Sequence, residues 1–167
     1  MLPKGYERIL VVDDEIAVRN VVAMSLRHLG YTVEEFADPI EARSRLIESQ
    51  LLKSQGKTDL QPRIDLLVMD MLMPHLSGGE LFADVREVLP ELPVLVMSGY
   101  SGEGAVQRIL NAPHTEYIQK PFTVEDLSLA VRQSLDKCCL DKCCLDKRCS
   151  DKARSENSQE GSLKRGE

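Results

Sequence analysis

An apolar run, Leu66 to Met69, stops abruptly on Asp70, and the residues behind it carry Pro74 and the pair Gly78-Gly79 before helical spacing resumes. A short run with no polar face to offer water reads as a strand buried on both sides. In an open parallel sheet with helices on both faces, ligands bind outside the carboxyl ends of the strands. The run therefore delivers a carboxylate to the place where chemistry is expected, and Asp70 is the first candidate functional residue.

The remaining chain repeats this arrangement. Arg8 to Val12 is a second strand-length run, and it ends on Asp13, Asp14 and Glu15. Val18, Val21, Val22, Ser25, Leu26 and Leu29 then recur at helical spacing, with Gly30 in the position that usually stops a helix. Tyr31 to Phe36 alternates as a strand. Asp38, Pro39 and Glu41 supply an N-cap, a first-turn proline and an early acid, so a helix starts there. It should run through Leu46 and Ile47 into Ser49 to Pro62, where periodicity fades, and the end of that stretch reads as an exposed loop. Leu81, Phe82, Val85 and Val88 mark a third helix, closed by Pro90, and Pro93 to Met97 is a strand ending on Ser98. A weaker helix, roughly Glu103 to Leu110, follows among Gly99, Gly102 and Gly104, which make its first turn costly to order. Glu116 to Gln119 is the last strand, ending on Lys120 and Pro121. Thr123 and Asp126 cap a final helix lined by Val124, Leu127, Val131 and Leu135. Five strands alternating with five helices predict an α/β fold, a doubly wound parallel sheet covered on both faces.

Four strand tips then carry polar groups: Asp13 and Asp14, Asp70, Ser98, and Lys120. Three carboxylates at one edge repel one another unless a cation sits among them. Oxygen donors without His or Cys favour a hard ion such as Mg²⁺. An ammonium and a hydroxyl beside them suit a phosphoryl group, whose oxygens metal, Lys120 and Ser98 would share, with Asp70 as the nucleophile. The charge pattern argues against a polyanionic partner. The chain of 167 residues has a net charge of -6 and 43% apolar residues. Residues 1–135 hold 20 acids and 13 bases. A like-signed field disfavours nucleic acid. No stretch reaches the ~20 apolar residues of a membrane span, and residues 1–4 show no signal-peptide core, so a cytoplasmic location is expected.

Four segments in order, ILVVDDE (9–15), LLVMDMLMP (66–74), VMSGY (96–100) and YIQKPF (117–122), resemble the receiver domain of two-component response regulators, including receivers fused to hybrid sensor histidine kinases. The resemblance spans about Glu7 to Leu135. It implies a flavodoxin-like five-stranded parallel sheet of order 2-1-3-4-5. It also implies a phosphorelay role: Asp70 as phosphoacceptor, Asp14 as a direct Mg²⁺ ligand, Asp13 acting largely through water, and Leu72 giving its backbone carbonyl. Ser98 and Lys120 would hold the phosphoryl oxygens. Tyr117 would be the aromatic that turns inward with Ser98, and Lys120-Pro121 would be cis. Leu72 and Tyr100 would flank the approach of hydrolytic water. The implied partners are a sensor histidine kinase or a histidine phosphotransfer protein, with a phosphorylation-dependent dimer. Such a domain catalyses its own phosphorylation and slow dephosphorylation without being a turnover enzyme or a kinase. The loop before the Asp70 strand is about a dozen residues longer than the resemblance implies.

Two other functions remain open on the residues: a Mg²⁺-dependent phosphohydrolase with an Asp nucleophile, and a binding module that works without phosphorylation. The three histidines, His28, His75 and His114, are scattered and are assigned no chemistry. Residues 136–167 form a separate tail whose LDKCC, LDKCC, LDKRC units recur every five residues, starting at Leu135. On a helix, positions five apart rotate by about 140°, so the leucines make no constant stripe. Because the repeat itself imposes the cysteine spacing, the tail reads as low-complexity sequence rather than a zinc site. Ser155 to Glu167 is polar and reads as disordered.

Overall fold

The computed structural model describes residues 2–54, 63–73, 77–99, 109 and 111–142, with the backbone alone in 50–54 and 138–142. In these residues five parallel strands form one sheet: β1 (Arg8–Val12), β2 (Thr32–Phe36), β3 (Leu66–Asp70), β4 (Val94–Ser98) and β5 (Thr115–Gln119), in the order β2-β1-β3-β4-β5. Four helices are described: α1 (Ile16–His28), α2 (Pro39–Ser54), α3 (Gly78–Val88) and α4 (Val124–Lys142). The weaker helix expected near 103–110 lies outside the described residues, apart from Ile109, which is buried.

Strand alternation sorts the core into two layers, because successive side chains leave a strand on opposite faces. Leu10, Val12, Leu67, Met69, Val94 and Val96 pack with Ala42 and Leu46 of α2 and Leu81, Phe82 and Val85 of α3. Ile9, Val11, Leu66, Val68, Leu95 and Met97 pack with Val22, Ala23 and Leu26 of α1 and Leu127, Val131 and Leu135 of α4. Every residue of β3 and β4 is buried, which is why those runs lack a polar face. Each buried Leu, Ile or Val contributes roughly 1.5–3 kcal/mol.

The helix signals work as their chemistry dictates. Asp38 Oδ1 accepts the Ile40 N–H at 2.8 Å and starts α2. Thr123 and Asp126 bond reciprocally at the head of α4. Gly30 has φ +97, which stops α1 and lets its N–H reach the Arg27 carbonyl at 3.0 Å. Ser77 and Glu80 form a capping box on α3, an S-x-x-E pattern the sequence reading passed over.

Differences from expectation have local causes. Val21 and Val124 lie on helical stripes yet are 60% and 38% exposed, because each sits at the edge of a stripe whose centre already fills the core. Helix α4 continues through Lys142, so the backbone stays helical past the boundary placed at 135. Exposed polar pairs accompany that extension, Arg132 with Asp136 and Lys137 with Glu116. The cysteine side chains and the rest of the tail lie outside the described residues.

Candidate functional site

Register brings the polar tips together. Val12 pairs with Met69 and Asp70 with Met97, so Asp13, Asp70 and Ser98 end adjacent strands at nearly one level. Lys120 follows β5, separated from β3 by β4, yet its side chain crosses to both acids. Its Nζ donates to Asp13 Oδ2 at 2.9 Å and lies 3.3 Å from Asp70 Oδ1. The Lys120-Pro121 bond is cis.

Each acid is held differently. Asp13 is fully buried, and its Oδ1 accepts the Glu15 N–H at 2.8 Å. Asp70 is buried as well, and its Oδ1 accepts the Met71 N–H at 2.9 Å. Asp14 is exposed, and among the described residues no hydrogen bond holds its carboxylate. One oxygen from each of the three carboxylates can be chosen so that all lie within 4.8 Å of one another. Burial raises the Asp70 pKa above the ordinary carboxylate value, and the Asp13 charge adds to this while Lys120 works against it. Burial alone would lower Lys120, but its bond to Asp13 and the charges of both acids outweigh that and raise it. One ammonium thus only partly neutralises three clustered carboxylates. An all-oxygen donor set of this charge and spacing fits a hard divalent cation, so these residues could hold a metal.

Ser98 is buried, and its carbonyl accepts two bonds: the Lys120 N–H at 2.9 Å and the Tyr117 hydroxyl at 3.2 Å. Tyr117 is partly buried against the layer that holds α2 and α3. Leu72 is 68% exposed on the loop behind Asp70, whereas Tyr100 lies outside the described residues. The expected residues Asp13, Asp14, Asp70 and Lys120 are therefore together, with Ser98 on the neighbouring tip.

Two residues of the site were missed by sequence reasoning. Gly78 donates its N–H to the Met71 carbonyl at 3.2 Å, and a Cβ there would lie 2.5 Å from the Asp70 carbonyl oxygen. Arg19 Nη1 donates to the Asp13 carbonyl at 2.6 Å. The Gly pair was visible as loop punctuation, but only the fold shows that the first of the two abuts the Asp70 backbone.

The comparisons agree with this geometry. The family model for the response regulator receiver domain matches residues 9–132. The response regulator MprA of Mycobacterium ulcerans is 35% identical over 128 residues, covering 77% of this chain and 50% of that protein. The chain spans about half the length of the MprA relatives it matches. Among solved structures, a CheY-like response regulator receiver domain protein from Methanospirillum hungatei superposes with TM-score 0.67 at 25% identity, covering 80% of this chain and 97% of that one. The receiver domain of the histidine kinase CKI1 from Arabidopsis thaliana, complexed with Mg²⁺ and BeF₃⁻, gives TM-score 0.64 at 25% identity, covering 78% and 90%. No helix among the described residues is long and apolar enough to cross a membrane.

Proposed function

The chain belongs to the response regulator receiver family, and from that premise we propose that Asp70 accepts a phosphoryl group from a phosphohistidine with Mg²⁺ in the acidic pocket. Receiver domains are phosphorylated by histidine kinases; here the donor is a sensor histidine kinase or a histidine phosphotransfer protein. The observation that carries the reading is the bridge of Lys120 between Asp13 and Asp70, with Asp14 alongside and Ser98 on the next tip.

The chemistry follows from those contacts. Asp70 Oδ1 is already engaged by the Met71 N–H and faces Lys120, which leaves Oδ2 for attack on phosphorus. As the new O–P bond forms, the donor P–N bond breaks and the histidine nitrogen keeps the electron pair. Lys120 and Ser98 receive the phosphoryl oxygens, so positive charge and a hydrogen-bond donor meet the developing negative charge. Asp13, Asp14, Asp70 and the Leu72 carbonyl would hold the Mg²⁺, which when bound supplies electrostatic neutralisation of the incoming phosphoryl group. Ser98 and Tyr117 then act as the switch: a phosphoryl group that draws Ser98 changes the strand tip to which the Tyr117 hydroxyl is bonded. The unit assigned this function is residues 1–135, and its last helix runs on through Lys142 into the sequence assigned to the tail.

Incubation with acetyl phosphate and Mg²⁺ tests the assignment. Stoichiometric labelling of the parent and none of Asp70→Asn is expected, since an amide is not a nucleophile toward phosphorus. Equal labelling of both would overturn it. Continuous multiple turnover would point to a phosphohydrolase, and no labelling of the parent to a module that works without phosphorylation.

A further inference from the structure

Asp13 is gripped on all of its polar groups. Its N–H donates to the Phe36 carbonyl at 3.2 Å, Oδ1 accepts from the Glu15 N–H at 2.8 Å, and Oδ2 accepts from Lys120 at 2.9 Å. The fourth group, its carbonyl, accepts from Arg19 Nη1 at 2.6 Å. Three of these contacts orient the residue itself. The Arg19 contact does something further, because the Asp13 carbonyl belongs to the same planar peptide unit as the Asp14 nitrogen and Cα.

Once the Asp13 Cα is fixed, the remaining freedom of that unit is rotation about the bond from Cα to the carbonyl carbon. Holding the oxygen removes that rotation and so sets where the Asp14 Cα stands. Asp14 has no bond of its own that would do this, since its carboxylate is exposed and unbonded among the described residues. Arg19 is itself anchored: it belongs to the first turns of α1, where its N–H donates to the Glu15 carbonyl at 2.9 Å, and its side chain is only half exposed. A planar guanidinium loses little freedom per bond formed, which suits it to a fixed brace.

We propose that Arg19 is a positioning residue, which braces the Asp13-Asp14 peptide and thereby aims the exposed Asp14 carboxylate at the cation held with Asp13 and Asp70. Arg19 touches neither phosphoryl group nor metal; it acts through the backbone of its neighbours. The inference rests on the reading that these three acids bind Mg²⁺.

The test compares Mg²⁺ binding by the full-length parent, Arg19→Ala, Arg19→Lys and Asp14→Ala. Calorimetric titration gives the affinity, and backbone amide exchange at Asp14 in metal-free protein gives the local order. Arg19→Ala should weaken Mg²⁺ binding by about tenfold or more, the size typical of groups that orient a metal ligand. It should also speed Asp14 amide exchange, while Arg19→Lys, which can still donate to the carbonyl, recovers part of both. A purely structural role would lower the melting temperature of Arg19→Ala and leave the Mg²⁺ affinity of its folded fraction at the parental value, and that result would overturn the proposal. A parent that binds no Mg²⁺, equal to Asp14→Ala, would overturn the metal reading and the proposal with it. A parent that binds while Arg19→Ala binds equally well would overturn the proposal alone.

Discussion

The Tyr117 hydroxyl donates to the Ser98 carbonyl at 3.2 Å, so the aromatic of β5 is tied to the backbone of the neighbouring strand tip and not to its side chain. A change that moves the Ser98 backbone must therefore break or carry that bond. Tyr117→Phe keeps the ring and removes the donor. We expect it to leave Asp70 labelling within about twofold of the parent while freeing the β4 tip, a loss of ~1 kcal/mol for one neutral hydrogen bond. Urea unfolding and acetyl phosphate labelling check the two halves. A variant as stable as the parent would mean that the bond does not hold the tip.

Asp70 provides the pH test. Burial and the Asp13 charge raise its pKa in the folded protein, with Lys120 opposing them. A raised carboxyl pKa means that the folded state holds the proton more tightly than the unfolded chain. Its ionisation then reduces stability as pH climbs from the unfolded value through the folded one. Metal-free Asp70→Asn should accordingly melt above the parent at pH 7, and the gap should close toward pH 4. Saturating Mg²⁺ should stabilise the parent and not the variant. A gap that is unchanged between the two pH values would show that the carboxylate is not the source of the strain.

Lys120 is the only cation bonded to the Asp13 carboxylate, which is fully buried, among the described residues. Replacing one partner of such a pair strands the other charge, which costs roughly 3–5 kcal/mol. Lys120→Met should lose about that much in metal-free urea unfolding, and added Mg²⁺ should return part of it. A loss below ~1 kcal/mol would mean that solvent reaches Asp13 after all.

Gly78 permits the close approach of α3 to the strand tip. Its added Cβ would meet the Asp70 carbonyl oxygen at 2.5 Å and the Met71 Cα at 2.7 Å, both backbone atoms that cannot swing aside. Gly78→Ala should destabilise the fold by ~1–3 kcal/mol and slow labelling by displacing Asp70. Gly79→Ala, whose Cβ would meet nothing closer than 3.8 Å, is the control and should do neither.

Hydrolysis of the phosphorylated form gives a further prediction. Leu72 carries no group that could orient water, and its side chain stands open to solvent beside Asp70. The family resemblance implies that Tyr100 flanks the same approach of water. Leu72→Asn with Tyr100→Glu should speed loss of phosphate about tenfold or more, ~1.4 kcal/mol on the barrier. Decay after removal of the donor measures it, and equal decay in parent and variant would exclude these two side chains from gating water.

Much of this site could be read before folding because a parallel sheet converts sequence punctuation into position. Asp13, Asp70 and Ser98 each end an apolar run and Lys120 follows the short mixed run Glu116 to Gln119, and each such run proved to be a strand in one sheet with its carboxyl end on the same side. The alternation of Leu66, Leu67, Val68 and Met69 between two layers was equally legible, since period two is all that it requires. What the chain did not disclose depends on distances between segments. Arg19 is an ordinary exposed-face arginine until the first turn of α1 aims it backward at Asp13. Val21 and Val124 satisfy a helical pattern yet face solvent, because a pattern specifies a stripe without saying how wide the facing core is.

The bond from Lys120 to Asp13 closes a loop of 107 residues, from the first strand to the end of the fifth. Among the described residues no cation nearer in sequence bonds the Asp13 carboxylate. During synthesis, a chain that has emerged only as far as β4 already possesses Asp13 and Asp70 but has no ammonium to set between them, so burying the two tips is electrostatically uphill at that stage. Contacts of such long sequence separation form late, because the loop entropy is lost before they reward it. The pocket should therefore mature last, and a fragment ending before Lys120 should collapse without acquiring a competent acidic site.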